Sequence, residues 1–191
     1  MYRYDFHVHA SERSDCAKIS EIDQIKDAIK SGLSGIAFTD HHKLMTPVQL
    51  EQLNQTYAPF KIFNGIEISC DQEDWLVYGI YDCRLEQQNW TYPDLYQFVR
   101  KNNGLIVLAH PFRYQPMINV DINSFPPDGI EIHSRNTPAA YEAKIADIAK
   151  SNQMLTFTNS DAHSSGDIGK YWNLLPEEIV DDRDFVMIFR R

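Results

Sequence analysis

The sequence predicts an α/β fold in which strands and helices alternate along the chain. Short apolar runs rich in β-forming residues recur, helix-compatible segments lie between several of them, and neither internal repeats nor low-complexity segments interrupt the order. The 191 residues are enough for one well-buried domain and few for two, so we expect a single domain over residues 1–191.

Eight runs have the length and composition of strands. They cover residues 4–9, 35–40, 61–69, 75–81, 104–110, 129–134, 154–161 and 185–189. In the first run, YDFHVH, strict alternation would place Asp5, His7 and His9 on one face and Phe6 and Val8 on the other. A strand face that carries an aspartate and two histidines suits the binding of a cation better than an apolar core.

Three segments between these runs are predicted helices. Residues 20–32 begin with a serine suited to cap a helix, repeat isoleucine at helical spacing and end at a glycine. Residues 92–104 have a proline near their start and a glycine after their end. Residues 137–153 carry an apolar face that includes Tyr141 and Ile145. This alternation favours a mainly parallel sheet.

Polar residues cluster where the predicted strands end. All seven histidines lie at or just after such an end, namely His7, His9, His41, His42, His110, His133 and His163. Asp15, Asp40, Glu67 and Asp161 accompany them. Because the carboxyl ends of parallel strands carry the active sites of α/β folds, we expect these side chains to converge on one metal centre.

The types of ligand narrow the choice of metal. Imidazole and carboxylate groups without thiolates suit zinc, manganese or iron, and about nine candidate ligands are too many for one ion. We therefore expect two or three divalent ions. Cys16, Cys70 and Cys83 are odd in number and form no CxxC pair, which argues against a disulfide framework and a thiolate zinc site.

The net charge of −9 argues against a broad surface for nucleic acid. It leaves open a small phosphorylated substrate, a nucleotide or an oligonucleotide end, because metal ions reverse the field inside a pocket. The sequence has no apolar run of about 18 residues and no apolar core of a signal peptide, so we expect a cytoplasmic protein without a membrane partner. It does not indicate an oligomeric state.

The motifs DFHVH, FTDHH, GIE, AHP and SDAH, in this order, resemble the polymerase and histidinol phosphatase (PHP) superfamily. The resemblance spans residues 5–169, which is nearly the whole chain, and the combination is more specific than any one motif. It implies a distorted (β/α)7 barrel in a single domain. It also implies a hydrolase, a phosphatase or phosphodiesterase, that cleaves phosphomonoesters or phosphodiesters at a site of two or three metal ions.

The resemblance also implies a set of metal ligands. His7, His9 and Asp161 would bind one ion, Glu67 would bridge to a second ion held by His110, and Asp15, His41 and His163 would hold a third. Asp5 would support an imidazole from behind. Many relatives carry a further histidine after the glutamate, whereas this chain has Leu76. Asp74 or His133 would then complete the second site, and His133 is kept as a candidate ligand.

Three arginines and a histidine are candidates for contact with the substrate. Guanidinium groups match the geometry of phosphate, which suggests Arg13, Arg113 and Arg135. Arg113 and Arg135 are favoured over Arg13 because each follows a strand-end histidine closely. His42 is a candidate acid for the leaving oxygen, with a structural role as the alternative.

Two other functions stay open at this stage. One keeps the metals and changes the reaction to C–N hydrolysis, as in amidohydrolase barrels, where a lysine usually bridges the metals instead of a residue such as Glu67. The other is a regulatory module that binds metal without catalysis, which the incomplete second site would suit.

Overall fold

In the computed structural model, which describes residues 1–190, eight strands form one sheet that curves into a nearly closed barrel. The strands are β1 (Tyr2–Val8), β2 (Gly35–Phe38), β3 (Lys61–Cys70), β4 (Glu73–Tyr78), β5 (Leu105–Leu108), β6 (Gly129–His133), β7 (Leu155–Thr158) and β8 (Asn173–Leu175). The helices are α1 (Glu21–Lys30), α2 (Pro47–Tyr57), α3 (Tyr92–Lys101), α4 (Glu142–Ser151) and α5 (Asp182–Phe189). Short 3₁₀ turns lie at Cys83–Glu86 and Ala139–Tyr141.

The strand order is β7-β6-β5-β4-β3-β2-β1-β8. Strands β1 to β3 pair in parallel, and so do β5 to β7, whereas β4 is antiparallel to both of its neighbours and β8 is antiparallel to β1. The predicted α/β barrel is confirmed. The barrel has eight strands and not seven, because the short β8 adds to β1 at the open edge.

The three predicted helices are present as α1, α3 and α4. The Ser20 side chain accepts a hydrogen bond from the Asp23 amide at the start of α1, and Thr91 caps α3 in the same way through the Asp94 amide. Helix α4 begins later than predicted, at Glu142, because the 3₁₀ turn precedes it.

Three elements differ from the prediction, and one of them is β8, since no strand is predicted over residues 173–175. Helix α2 was missed because Leu50 and Leu53 are its only buried residues, which leaves little apolar periodicity in the sequence. The run FVMIF at 185–189 was predicted as a strand and is helical in α5. The Asp181 side chain accepts a hydrogen bond from the Asp184 amide and so starts this helix.

Strand β1 does not keep the strict alternation that its sequence suggests. Its pairing with β2 shifts register between Asp5 and Val8, which is the mark of a bulge. Phe6 therefore packs with the cluster of the barrel interior, while Val8 packs with the cluster beneath α1. Helix α5 contributes Phe185 to the interior, where its ring centroid lies 4.7 Å from that of Phe6.

A side chain spans the gap between β7 and β8. Asn173 accepts a hydrogen bond from the Thr158 amide (3.0 Å) and donates to the Thr158 carbonyl oxygen (2.9 Å) and to Asn159 Oδ1 (2.8 Å). These bonds replace a strand pairing at a place where the backbones of β7 and β8 do not pair.

Within residues 1–190, no helix is long and apolar enough to cross a membrane. The three cysteines are free thiols.

Candidate metal centre

The carboxyl ends of the strands bring all the predicted ligands except Asp15 and His133 to one place. His7 lies in β1, Glu67 lies in β3, and the remaining ligands follow the ends of their strands. His110 after β5 and Asp161 after β7 have φ angles of 22° and 51°, in the left-handed region that non-glycine residues seldom adopt. These sharp bends turn the chain as each strand ends, and both side chains are buried.

Four of these residues, His7, His9, Glu67 and Asp161, form what we call the inner group. Glu67 Oε2 lies 3.3 Å from His7 Nε2 and 3.2 Å from His9 Nε2, and Asp161 Oδ1 lies 3.4 and 3.2 Å from the same two nitrogens. All four atoms are buried, and none has a hydrogen-bond partner within the described chain. Because unpartnered buried polar atoms are costly, this donor set fits a divalent ion.

Two further groups adjoin the inner group. The outer group is Glu67, Asp74 and His110, with His110 Nε2 at 3.0 Å from Glu67 Oε1 and 3.8 Å from Asp74 Oδ2. The imidazole group is His9, His41 and His163. Glu67 belongs to both carboxylate groups, which is the position expected of a bridging ligand. Asp74, which the sequence offered as an alternative, lies with His110 on this side.

In the inner group, the pKa values are set mainly by neighbouring groups of opposite charge. Burial raises the pKa of Glu67, but the neighbouring imidazoles, His7 first, outweigh burial and hold it well below its usual range. Burial lowers the pKa of His9, but the adjacent carboxylates of Asp161 and Glu67 outweigh burial and raise it to about 9. The carboxylates are therefore ionised, and the group attracts positive charge, either protons or a metal cation.

In the imidazole group, burial lowers the pKa of the two rings other than His9, namely His41 and His163. The pKa of His163 is lowered mainly by burial and by the proximity of His9. Burial likewise lowers the pKa of His41, although Glu67 opposes the change. Both rings are therefore kept neutral, which is the form that binds a metal.

Glu131 in β6 supports two of the ligands from below. Its Oε1 lies 3.0 Å from His7 Nδ1 and accepts a hydrogen bond from Asn159 Nδ2 (2.7 Å), while Oε2 accepts from the His110 amide (2.8 Å). This is the support that the sequence assigned to Asp5, and that assignment is corrected. Asp5 accepts instead from the amides of His7 and Ser160. A lone acidic residue inside the apolar run GIEI was the available signal for Glu131.

A second support holds His9. Its Nδ1 lies 3.3 Å from Ser14 Oγ, which donates to Asp40 Oδ1 at 2.7 Å. Arg13 is held in this region by 2.7 Å contacts with Asp40 and Glu21. Its guanidinium is therefore engaged by two carboxylates, and the structure does not present it to a substrate.

Several predicted residues lie outside the three ligand groups. Asp15 is exposed in the turn after His9. The His133 ring points towards α4, with Nε2 3.6 Å from Glu142 Oε1, beyond a register shift in the β6–β7 pairing. The structure thus brings neither of them to the ligands, and their role in metal binding stays a prediction.

The residues predicted to contact the substrate also lie in different environments. His42 Nε2 accepts a hydrogen bond from the Ser69 amide at 3.3 Å, a contact that holds the loop after β2. Arg135 donates to Asp167 at 2.6 Å on the surface. Arg113 lies at the mouth of the centre, with Nη1 3.3 Å from His110 Nε2 and 3.6 Å from Asp161 Oδ2. Of these residues, Arg113 is the one that the structure places against the ligand groups.

The chain is therefore an α/β barrel protein with a candidate metal centre, formed by imidazoles and carboxylates at the ends of its strands. A family model described as PHP-associated matches residues 142–191. No curated protein sequence matches the chain significantly. The family model covers only the C-terminal part of the chain, and the barrel and the ordered motifs agree with the resemblance to the PHP superfamily.

Solved structures share the fold at low sequence identity. One is the structure of a proposed metal-dependent phosphoesterase from Bifidobacterium adolescentis, with a TM-score of 0.67 at 16% identity. The alignment covers 97% of this chain and 94% of that protein's chain. An amidohydrolase from Chromobacterium violaceum, with bound sulfate and no metal, has a TM-score of 0.67 at 17% identity over 91% and 92%.

A third structure contains the fold within a longer chain. A two-domain protein from Bacteroides vulgatus, containing a predicted PHP-like metal-dependent phosphoesterase, has a TM-score of 0.67 at 16% identity and covers 85% of this chain and 52% of its own. At these identities the three likenesses establish the shared fold.

Proposed function

We propose that the chain is a metal-dependent hydrolase of phosphate esters, with zinc, manganese or iron at a centre of two or three sites. The observation that carries the proposal is the inner group, where four buried ligand atoms face one another without hydrogen-bond partners. His41 and His163 are close enough to extend this centre. Ligands from most of the barrel meet here, which supports one domain over residues 1–191.

The chemistry follows from the ligands and their neighbours. A divalent ion held by these residues would lower the pKa of a water molecule and polarise phosphoryl oxygens. His7 and His9 present Nε2 to the centre because Glu131 and Ser14 occupy the opposite edges of their rings. Arg113, with a third of its side chain exposed, is positioned to donate to phosphate oxygens at the mouth.

A cavity beside Asp74 suits the leaving group of a small substrate. It measures about 590 Å³ and is lined by residues of the β3–β4 turn together with Gln88, Trp90, Tyr114 and Gln115. Three of the lining side chains, Asp71, Glu73 and Asp74, are acidic, and no lysine or arginine lines it. We infer a small phosphorylated substrate with a neutral or cationic leaving group, in preference to a nucleotide or an oligonucleotide end.

Purified protein loaded with manganese, zinc or iron tests this proposal against phosphomonoesters, cyclic and linear phosphodiesters, and nucleotides. Asp161→Asn should lower the rate at least about 100-fold, since it removes a buried charged ligand. Asp147→Asn on the exposed side of α4 is the matched control and should keep the wild-type rate. Cleavage of none of these esters by any loaded preparation, or an Asp161→Asn variant with the wild-type rate, would refute the proposal.

C–N hydrolysis is the second candidate because an amidohydrolase shares the fold. Amide and cyclic amidine substrates, assayed with the same loaded protein, distinguish the two reactions. Glu67, a carboxylate, occupies the position shared by two ligand groups. Amidohydrolase barrels usually place a lysine there, which favours phosphoester cleavage.

A further inference from the structure

The outer group differs from the inner group in how its atoms are satisfied. Every ligand atom of the inner group is buried without a hydrogen-bond partner. In the outer group, Asp74 Oδ2 accepts from the Tyr114 hydroxyl at 3.0 Å, and Asp74 Oδ1 accepts from the Ser69 hydroxyl. Both oxygens of Asp74 are thus already bound by protein donors, whereas the four facing ligand atoms of the inner group have none.

The ligand atom of His110 is also already in contact with protein groups. His110 Nε2 lies 3.0 Å from Glu67 Oε1 and 3.3 Å from Arg113 Nη1, so in the tautomer with its proton on Nδ1 the Nε2 lone pair faces the guanidinium. A metal ion at the outer group would need that same lone pair. The guanidinium carries only donors and a permanent charge, so it cannot share this position with a cation.

The other side of the outer group is apolar. Leu76 stands directly opposite Glu67 in the β3–β4 pairing and packs into the barrel interior. The chain therefore offers no further imidazole from β4. Arg113 Nη1 also lies 3.6 Å from Asp161 Oδ2, so the guanidinium brings positive charge to a carboxylate of the inner group as well.

We propose that the guanidinium of Arg113 takes the place of a metal ion at the outer group. The chain then binds its divalent ions at the inner group and beside it at His41 and His163, and uses Arg113 as a fixed cation next to them. This inference rests on the proposed metal centre and adds that Arg113 and an outer ion compete. Because Leu76 stands where many relatives have a histidine ligand, we expect this chain to bind fewer ions than they do.

Metal content measures the competition directly. Wild type, Arg113→Met, Arg113→Gln and Arg84→Met are stripped with a chelator, titrated with Mn²⁺, desalted and analysed for bound metal. Both Arg113 variants should bind one more ion per chain than wild type, or bind their weakest ion at least tenfold more tightly. Arg84→Met removes the same charge from an exposed site and should match wild type.

The possible outcomes separate this inference from the proposed function. If both folded Arg113 variants keep the wild-type ion number and affinities within twofold, or bind fewer ions, the competition is refuted while the metal centre stands. If wild type itself binds no ion, the metal centre and the competition both fail. Anomalous scattering from crystals of Arg113→Gln should show an added ion beside His110 Nε2.

Discussion

Glu131 Oε1 lies 3.0 Å from His7 Nδ1, and both residues are fully buried. A carboxylate on this edge of the ring fixes the proton on Nδ1 and leaves the Nε2 lone pair facing the inner group. The second oxygen of Glu131 holds the His110 amide at 2.8 Å. One side chain therefore orients ligands from two different strands.

Glu131→Gln should weaken metal binding about 10- to 100-fold, the usual cost of losing a support behind a ligand. Glutamine has one acceptor oxygen, so its NH₂ group must face either the His110 amide or the donors beside His7. A Mn²⁺ or Zn²⁺ titration measures the loss, and the ¹⁵N shifts of the His7 ring report the proton position. Glu178→Gln, at a half-exposed surface residue, is the control.

An unchanged His7 tautomer together with unchanged affinity in Glu131→Gln would contradict this positioning role. A general loss of packing would instead lower stability and leave the tautomer of His7 unaltered. The ring spectrum therefore distinguishes positioning from a merely structural contribution.

Binding of a divalent ion should stabilise the fold. At a free concentration 100 times the dissociation constant, one ion adds about 2.7 kcal/mol to the free energy of unfolding. For a chain of this size that corresponds to a rise in Tm of roughly 5–10 °C. Thermal unfolding of stripped and reloaded protein measures the rise, and Asp161→Asn should lose most of it. Equal Tm values for stripped and loaded wild type would contradict metal binding.

The sequence was a good guide to the ends of the strands. Motifs such as SDAH and AHP are local, so each histidine could be assigned to a strand end from its neighbours alone. Glu67 and Asp161 were found in the same way, because each lies in a run with the composition of a strand, at 61–69 and 154–161. The convergence of the inner group follows from the rule that parallel strands end at one side of a sheet.

What the sequence did not reveal depends on contacts between distant residues. The bulge in β1 arises from its register with β2, so the face of Phe6 could not be read from alternation alone. The contact between Glu131 and His7 joins β6 to β1, 124 residues apart in the chain. Helix α5 forms from a strand-like run because of its cap and its packing under the barrel.

Asn173→Ala should destabilise the barrel by about 2 kcal/mol. The substitution leaves the Thr158 amide and carbonyl without partners at the gap between β7 and β8. Denaturant unfolding measures the change in free energy. Leu174→Ala, at an exposed neighbour in β8, is the matched control and should change stability by less than about 0.5 kcal/mol. A comparable loss in both variants would assign the effect to β8 as a whole.

Asp182, at the start of α5, predicts a pH dependence that does not involve the metal centre. Burial raises its pKa to about 6, although hydrogen bonds from the Tyr81 hydroxyl and the Asn64 amide act in the opposite direction. An unfolded chain would ionise this carboxyl near pH 4. The folded chain therefore holds an extra proton between these two values.

Because the folded state binds more protons there, the stability from Asp182 is fully present below about pH 4 and is lost as the pH rises through 6. Asp182→Asn has no charge to bury, so its free energy of unfolding relative to wild type should rise by about 2 kcal/mol between pH 4 and 7, allowing for partial exposure. Denaturant unfolding at several pH values measures the difference. Tyr81→Phe removes a donor to the carboxylate, so it should extend the loss of stability to higher pH. If the difference in free energy of unfolding between wild type and Asp182→Asn does not change with pH, the Asp182 carboxyl has the same pKa in the folded and the unfolded chain.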